Sequence, residues 1–103
     1  MDTVSVECVA WVTQFVGGDG TRRVILEEPF APGLTVREVL RRLSSRFPKL
    51  HEALWDAPGT DLAEHLEVLV NDAVLGVQHE LGSALAPGDR ITLVGAYTGG
   101  QAA

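Results

Sequence analysis

The stretch TVREVLRRLSSRF, residues 35–47, is the clearest element of the sequence. Thr35 and Glu38 form the capping-box pattern T-x-x-E, which is typical of a helix N-terminus. Pro48 ends the helix because its ring cannot continue the hydrogen-bond ladder. The apolar residues recur at helical spacing and form one stripe, which comprises Val36, Val39, Leu40, Leu43 and Phe47. This stripe predicts an amphipathic helix that needs another surface to cover it.

Segments with alternating apolar and polar residues lie on both sides of this helix. Residues 4–16 alternate with a period of two and predict one long strand. The GGDG turn at 17–20 predicts a hairpin to a second strand at 22–30. The rest of the chain predicts a short helical segment and three strands, at 49–56, 65–72, 74–78 and 89–96.

This order of elements predicts an α+β fold. With one main helix in about 100 residues, the helix crosses one face of a mixed sheet of four or five strands. The helix connects the second strand to a later one, which allows the first and last strands to be parallel neighbours at the centre. The opposite side of the sheet is the open face.

The composition fits one ordinary globular domain. The chain has 103 residues, 46% of them hydrophobic, and a formal net charge of −6. The acidic balance argues against nucleic acid and against an anionic membrane surface as partners. Neither a signal peptide nor a membrane-spanning segment is expected. Cys8 is the single cysteine, which excludes an internal disulfide and favours a reducing, cytoplasmic setting.

No group of side chains predicts a catalytic or metal site. Cys8 lies in the core-facing register and is expected to be a buried, inert thiol. Glu27 and Glu28 point to opposite faces of a strand, so they do not form an acid–base pair. The histidines show no metal-ligand spacing with cysteine: they are His51, His65 and His79. The chain is therefore not expected to be an enzyme or to bind a cofactor.

Two segments of the second half carry a family resemblance. LEVLVNDAVL at 66–75 is followed by LAPGDRITLVGAYTGG at 85–100, in this order at the end of a domain of this size. Together they resemble the ubiquitin-like sulfur carriers, which include the small subunit of molybdopterin synthase and the thiamine-pathway sulfur carrier. The resemblance implies a β-grasp domain at 1–96 and a flexible C-terminal tail at 97–103.

The resemblance also implies the reactive group and the partners. In this family a partner adenylating (E1-like) enzyme uses ATP and Mg to activate the terminal glycine carboxylate, here that of Gly100. Sulfur then replaces the adenylate, and the thiocarboxylate donates sulfur through a sulfur-accepting synthase. The residues implied to enter the partner's active site are Tyr97, Thr98, Gly99 and Gly100.

Gln101-Ala102-Ala103 departs from the family pattern. While these residues are attached, the carbonyl of Gly100 belongs to an amide and cannot be adenylated. The resemblance therefore implies a precursor in which a metalloprotease removes Gln101–Ala103 by cutting between Gly100 and Gln101. Two alternatives remain open. One is the small subunit of molybdopterin synthase, which normally ends at Gly-Gly, and the other is a non-catalytic β-grasp interaction module whose tail is never activated.

The strand phases also predict an apolar patch on the open face. This patch is expected to dock a partner protein. It comprises Val9, Trp11, Ile25, Leu69 and Val94. In the alternative interpretation, residues 49–64 with Trp55 cover this patch as a second small core. The arginines of the main helix are expected to form a solvated face, at positions 37, 41, 42 and 46.

Overall fold

The computed structural model describes residues 2–56, 62, 66–75 and 80–95. These residues form two α-helices, a 3₁₀ helix and five strands. In chain order they are β1 (Thr3–Cys8), the 3₁₀ helix (Ala10–Val16), β2 (Val24–Pro29), α1 (Val36–Arg46), α2 (Pro48–Leu54), β3 (Leu66–Val70), β4 (Ala73–Val74) and β5 (Arg90–Gly95). Apart from the 3₁₀ helix, this is the order predicted from the sequence.

The strands form one mixed sheet in the order β2-β1-β5-β3-β4. β1 pairs with β2 antiparallel and with β5 parallel, and β3 pairs with β5 and with β4 antiparallel. The last strand therefore lies at the centre of the sheet, parallel to the first. The predicted α+β class, the five-stranded mixed sheet and the central parallel pair are confirmed.

Helix α1 begins at the predicted capping box. The Thr35 side chain accepts a hydrogen bond from the Glu38 backbone N–H at 3.2 Å, and the Glu38 carboxylate accepts one from the Thr35 backbone N–H at 3.0 Å. Four residues of the predicted stripe are buried in one core with the sheet and α2, and Phe47, which follows α1, is partly buried against this core. The fully buried members of this core include Val4, Val6, Cys8, Val36, Val39, Leu40, Leu43, Val70, Ile91 and Leu93.

The prediction of one long strand over 4–16 is wrong. β1 ends at Cys8, and Ala10 takes a positive φ of 56°, which breaks the extended conformation. The chain then forms a 3₁₀ helix, in which the Thr13 hydroxyl donates to the Ala10 carbonyl at 2.9 Å and accepts from the Gly20 N–H at 2.9 Å. The predicted hairpin exists, but its connection is the whole segment 9–23 and not a tight GGDG turn.

The segment after α1 packs on the helix side of the molecule. Leu50 and Leu54 of α2 are buried, and the indole N–H of Trp55 donates to the Ser44 hydroxyl of α1 at 3.0 Å. The described part of segment 49–64 therefore covers α1 and not the open face. None of the helices in the described ranges has the length and apolar content that a membrane crossing requires.

Candidate functional site

The site begins where the central strand ends, at Gly95. Gly95 is buried, and a Cβ atom built on it would overlap the indole ring of Trp11. No residue with a side chain fits here unless Trp11 moves. The residues predicted to enter a partner's active site, and the predicted processing junction, lie outside the described residues: Tyr97, Thr98, Gly99, Gly100 and Gln101.

The position predicted for Trp11 on the open face is wrong. Gly95 pairs with Leu66 and has the same strand phase as Leu93, and both of these leucines are buried in the core. A ring over this side of Gly95 therefore lies on the helix face of the sheet. The 3₁₀ helix brings Trp11 there together with Phe15, whose ring meets the indole edge-on at a centroid distance of 5.7 Å.

The other four residues of the predicted patch lie on the open face and adjoin one another. The Val9 N–H donates to the Leu93 carbonyl at 3.2 Å, which places Val9 beside Val94 in the parallel ladder. Leu69 pairs with Thr92 and so lies diagonal to Val94. Ile25, diagonal to Val9 on β2, has 57% of its surface exposed. The open face thus carries an apolar band that runs from β2 through Val9, which directly follows β1, to β5 and β3.

Charged side chains lie beside this band. The Glu7 carboxylate pairs with Arg23 at 2.9 Å and with Arg90 at 3.8 Å, and Arg90 also donates to Asp72 at 2.6 Å. The hydrogen bond to Asp72 is the main cause that raises the pKa of Arg90, with its negative charge adding to the effect. The open face therefore combines apolar residues with paired charges, as protein interaction surfaces commonly do.

The two segments that carried the family resemblance contact each other at the start of β5. The Asn71 side chain donates to the Asp89 carboxylate at 3.0 Å and accepts from the Arg90 backbone N–H at 2.9 Å. The Gly88 N–H donates to the Thr3 carbonyl at 2.8 Å. These bonds join the Asn-Asp turn after β3 to the Pro-Gly-Asp turn, and so hold β5 in register between β1 and β3.

Sequence reasoning missed a buried carboxylate on the helix face. Glu28 is 1% exposed, and its partner is Arg46 of α1 at 2.5 Å. Arg42 donates to the Pro29 carbonyl at 3.3 Å, and the Arg41 guanidinium lies 4.6 Å from the centroid of the Trp55 ring. The helix arginines are therefore not simply a solvated face. The available signal was Glu28 itself, an acidic residue in the apolar phase of β2.

Neither a reactive thiol nor a metal site is found among the described residues. Cys8 is fully buried, and burial is the main cause that raises the pKa of its thiol to about 11, with a smaller contribution from Glu7. No group of three or more His, Cys, Asp or Glu residues in the described ranges could hold a metal ion. His65 and His79 lie outside those ranges.

Comparison with solved structures shows several similar chains. SAMP1 from Haloferax volcanii is 25% identical with a TM-score of 0.73, over 94% of this chain and 98% of that one. CysO from Mycobacterium tuberculosis is 22% identical with a TM-score of 0.68, over 91% and 99%. Urm1 from Trypanosoma brucei is 17% identical with a TM-score of 0.73, over 95% of each chain. These likenesses confirm the ubiquitin-like β-grasp fold.

Sequence comparison gives the family. No curated protein matches the chain closely enough to count as a relative. The model of the ThiS family matches residues 14–100, which is most of the chain and includes both segments that carried the resemblance. The chain therefore belongs to the ThiS family of ubiquitin-like sulfur carriers.

Proposed function

We propose that this chain is a sulfur-carrier protein whose reactive group is the carboxylate of Gly100. The observation that carries the proposal is the extent of the family match, which runs through Gly100 and stops before Gln101. The fold supports it, because the central strand β5 ends at Gly95, five residues earlier. Five residues span at most about 17 Å when fully extended. That reach suits entry into another protein's active site.

Three steps convert the Gly100 terminus into a thiocarboxylate. Water hydrolyses the amide between Gly100 and Gln101, which releases Gln-Ala-Ala and leaves a carboxylate on Gly100. A partner adenylating enzyme, with ATP and Mg, joins that carboxylate to the α-phosphorus and releases pyrophosphate. Sulfur at the oxidation state of hydrosulfide then attacks the activated carbonyl as a nucleophile and displaces AMP, which leaves a thiocarboxylate. A synthase takes the sulfur for cofactor, amino-acid or secondary-metabolite biosynthesis.

Glycine at positions 99 and 100 suits this role. Without a Cβ atom, the backbone can pass through a channel that a side chain would block, and it can adopt whatever φ and ψ the partner requires. In this role the catalytic side chains belong to the partner enzymes. The carrier acts as a protein co-substrate of its partners, which are the adenylating enzyme, the synthase and a metalloprotease that removes Gln101–Ala103.

The open face is proposed as the surface that docks these partners. Val9, Ile25, Leu69 and Val94 provide apolar contact area, and the ion pairs of Glu7 beside them provide orientation. Trp11 is not part of this surface, because its ring packs on the helix face over Gly95. Docking on the open face would leave the core contacts of the sheet unchanged.

A mass measurement tests the proposal. The full chain and a variant that ends at Gly100 are each incubated with the adenylating enzyme of the same genome, ATP, Mg and a sulfide source. The variant is expected to gain the mass that corresponds to exchange of one oxygen for sulfur. The full chain is expected to stay unchanged until the protease has removed Gln-Ala-Ala.

Matched controls separate the steps. Gly100→Pro in the shortened variant alters the reacting residue and should abolish pyrophosphate release. Sulfur uptake by the full chain with Gln101–Ala103 still attached would contradict the processing step. A shortened variant that never exchanges pyrophosphate with any adenylating enzyme of its genome would contradict the carrier function, and would favour a plain interaction module.

A further inference from the structure

Strand β2 is an outer strand of the sheet that the structure describes, and one of its backbone edges is unpaired there. It lies at the end of the sheet with β1 as its neighbour, and the Phe30 N–H donates to the Asp2 carbonyl at 3.0 Å. Ladder bonds in an antiparallel pair recur at every second residue, so the even-numbered residues of β2 bond to β1. The backbone groups of Ile25 and Glu27 point outward. Among the described residues, neither of these amides has a hydrogen-bond partner.

The side chains along this edge are complementary to themselves. The stretch RRVILEEP at 22–29 has basic residues before Ile25 and acidic residues after it. When a second copy lies antiparallel with the two Ile25 residues opposite each other, Arg23 of each copy faces Glu27 of the other. The backbone N–H and C=O groups of residues 23, 25 and 27 all point away from β1, toward the unpaired edge. In this register the N–H groups of each copy therefore face C=O groups of the other. Opposite charges directly across a strand pair stabilise it.

The neighbouring registers with the same phase are less favourable. Pairings centred on position 24 or 26 keep this phase, but they place Ile25 opposite Arg23 or Glu27, so no opposite charges meet. A pairing centred on position 23 brings the two arginines together, and one centred on position 27 brings the two glutamates together. Like charges directly opposite each other destabilise a strand pair. The charge pattern therefore selects the register centred on Ile25.

Both charged side chains remain available for such a contact. Arg23 is 62% exposed; its Nε donates to Glu7 at 2.9 Å, and a guanidinium has five N–H donors in all. The Glu27 carboxylate accepts from the Thr3 hydroxyl at 2.7 Å and retains further lone pairs. The existing bonds hold the two side chains on the open face, which reduces the entropy lost on pairing.

The same register buries apolar surface on both faces of the sheet. Ile25, which is 57% exposed, would contact Ile25 of the second copy on the open face. On the helix face, Val24 would lie opposite Leu26 of the second copy, and both are only partly buried in the single chain. An exposed edge with a self-complementary sequence fits a symmetric interface, in which each copy presents the same surface.

We propose that β2 is a self-association surface, through which two copies of this chain pair antiparallel about Ile25. The two five-stranded sheets then form one continuous sheet. β1 lies between β2 and β5, so the contact leaves the end of β5 at Gly95 unpaired by the second copy. The proposal goes beyond the carrier function and does not depend on it.

Sedimentation equilibrium from micromolar to millimolar protein tests the proposal. The full chain is expected to show a monomer–dimer equilibrium. Glu27→Arg and Arg23→Glu each place like charges opposite each other at two symmetric positions. Each is expected to weaken association about tenfold to a hundredfold. An equimolar mixture of the two variants is expected to recover it, because every contact between unlike copies then joins an arginine to a glutamate.

Glu67→Arg is the matched control, since it makes the same charge change at an exposed position of β3, away from this edge. It is expected to associate like the unchanged chain. Amide hydrogen exchange gives a second measurement: the amides of Ile25 and Glu27 should be protected at high concentration and exchange freely on dilution. A chain that is monomeric at every concentration overturns the proposal, as does unchanged association of Glu27→Arg or a mixture that associates no better than its components.

Discussion

The two faces of the sheet differ in what their side chains contact. On the helix face, the residues of β1, β3 and β5 are almost fully buried beneath α1, α2 and the 3₁₀ helix. On the open face, β3 and β5 present the partly exposed Leu69 and Val94, and these lie beside ion pairs of Glu7, Asp72, Arg23 and Arg90. Among the described residues, the side chains of one face form the core, whereas those of the other face are partly exposed. Substitutions on the two faces should therefore have separable effects.

The largest expected difference between the faces is in stability. Leu93 of β5 is 0% exposed, and Leu93→Ala should lower the free energy of unfolding by about 2–5 kcal/mol because it leaves a cavity. Ile25→Ala, on the open face, should change it by less than about 1 kcal/mol. Urea unfolding followed by circular dichroism measures both. Equal losses for the two variants would show that the open face is also part of the core.

The second effect is a pH dependence that comes from the helix face. Burial raises the pKa of the Cys8 thiol from 9.0 to about 11, so above pH 9 the unfolded chain loses this proton while the folded chain keeps it. The stabilisation is complete below pH 9 and is lost as the pH rises toward 11, by up to about 2–3 kcal/mol. Unfolding measured from pH 7 to pH 11 tests this.

Cys8→Ala is the control for this pH dependence, because it removes the titrating group while other groups still titrate. Its stability should fall less steeply than that of the unchanged chain between pH 9 and 11. Parallel curves for the two proteins would contradict the assignment to Cys8. In the folded chain, thiol reagents should also react with Cys8 only after unfolding, since the thiol is fully buried.

The third effect concerns the contact between Gly95 and Trp11. Gly95→Ala should destabilise the fold by about 1–3 kcal/mol, because the new methyl group overlaps the indole ring. Gly82→Ala is the matched control, since a Cβ atom at Gly82 meets nothing within 4 Å and its φ is not in the left-handed region. That control should change stability by less than about 1 kcal/mol. Thermal unfolding of both variants gives the comparison, and equal losses would contradict the close packing at Gly95.

The sequence predicted the elements whose signals are local. The capping box and the apolar stripe of α1 lie within a dozen residues, and the alternation in β1, β3 and β5 sorted their side chains correctly between the two faces. The order of the elements then restricted the sheet to a central parallel pair. The segment LEVLVNDAVL and the Pro-Gly-Asp turn indicate the family from the sequence alone.

Residues 9–16 could not be assigned from local pattern because they satisfy two patterns at once. Their alternation fits a strand, while the four-residue spacing of Trp11 with Phe15 and of Val12 with Val16 fits a helix. The segment forms a helix, and in that conformation the Trp11 ring packs on Gly95, which is far from it in sequence. The same limit explains Glu28, whose partner Arg46 lies 18 residues along the chain. Local patterns carry no information about such contacts.

The smallest effect on stability is expected for a substitution that tests whether the open face docks a partner. This test rests on the proposed carrier function. Val94→Lys puts a charge in the apolar band and should change the free energy of unfolding by about 1 kcal/mol or less, since Val94 is only partly buried.

In the variant that ends at Gly100, Val94→Lys should slow adenylation by about tenfold, because a lysine in an apolar contact loses its hydration. Gln14→Lys adds the same charge at an exposed position of the 3₁₀ helix and should leave the rate unchanged. Pyrophosphate exchange measures both rates. If Val94→Lys and Gln14→Lys react equally fast, the partner does not dock on the open face at Val94, whereas loss of activity in both would point to a general effect of charge.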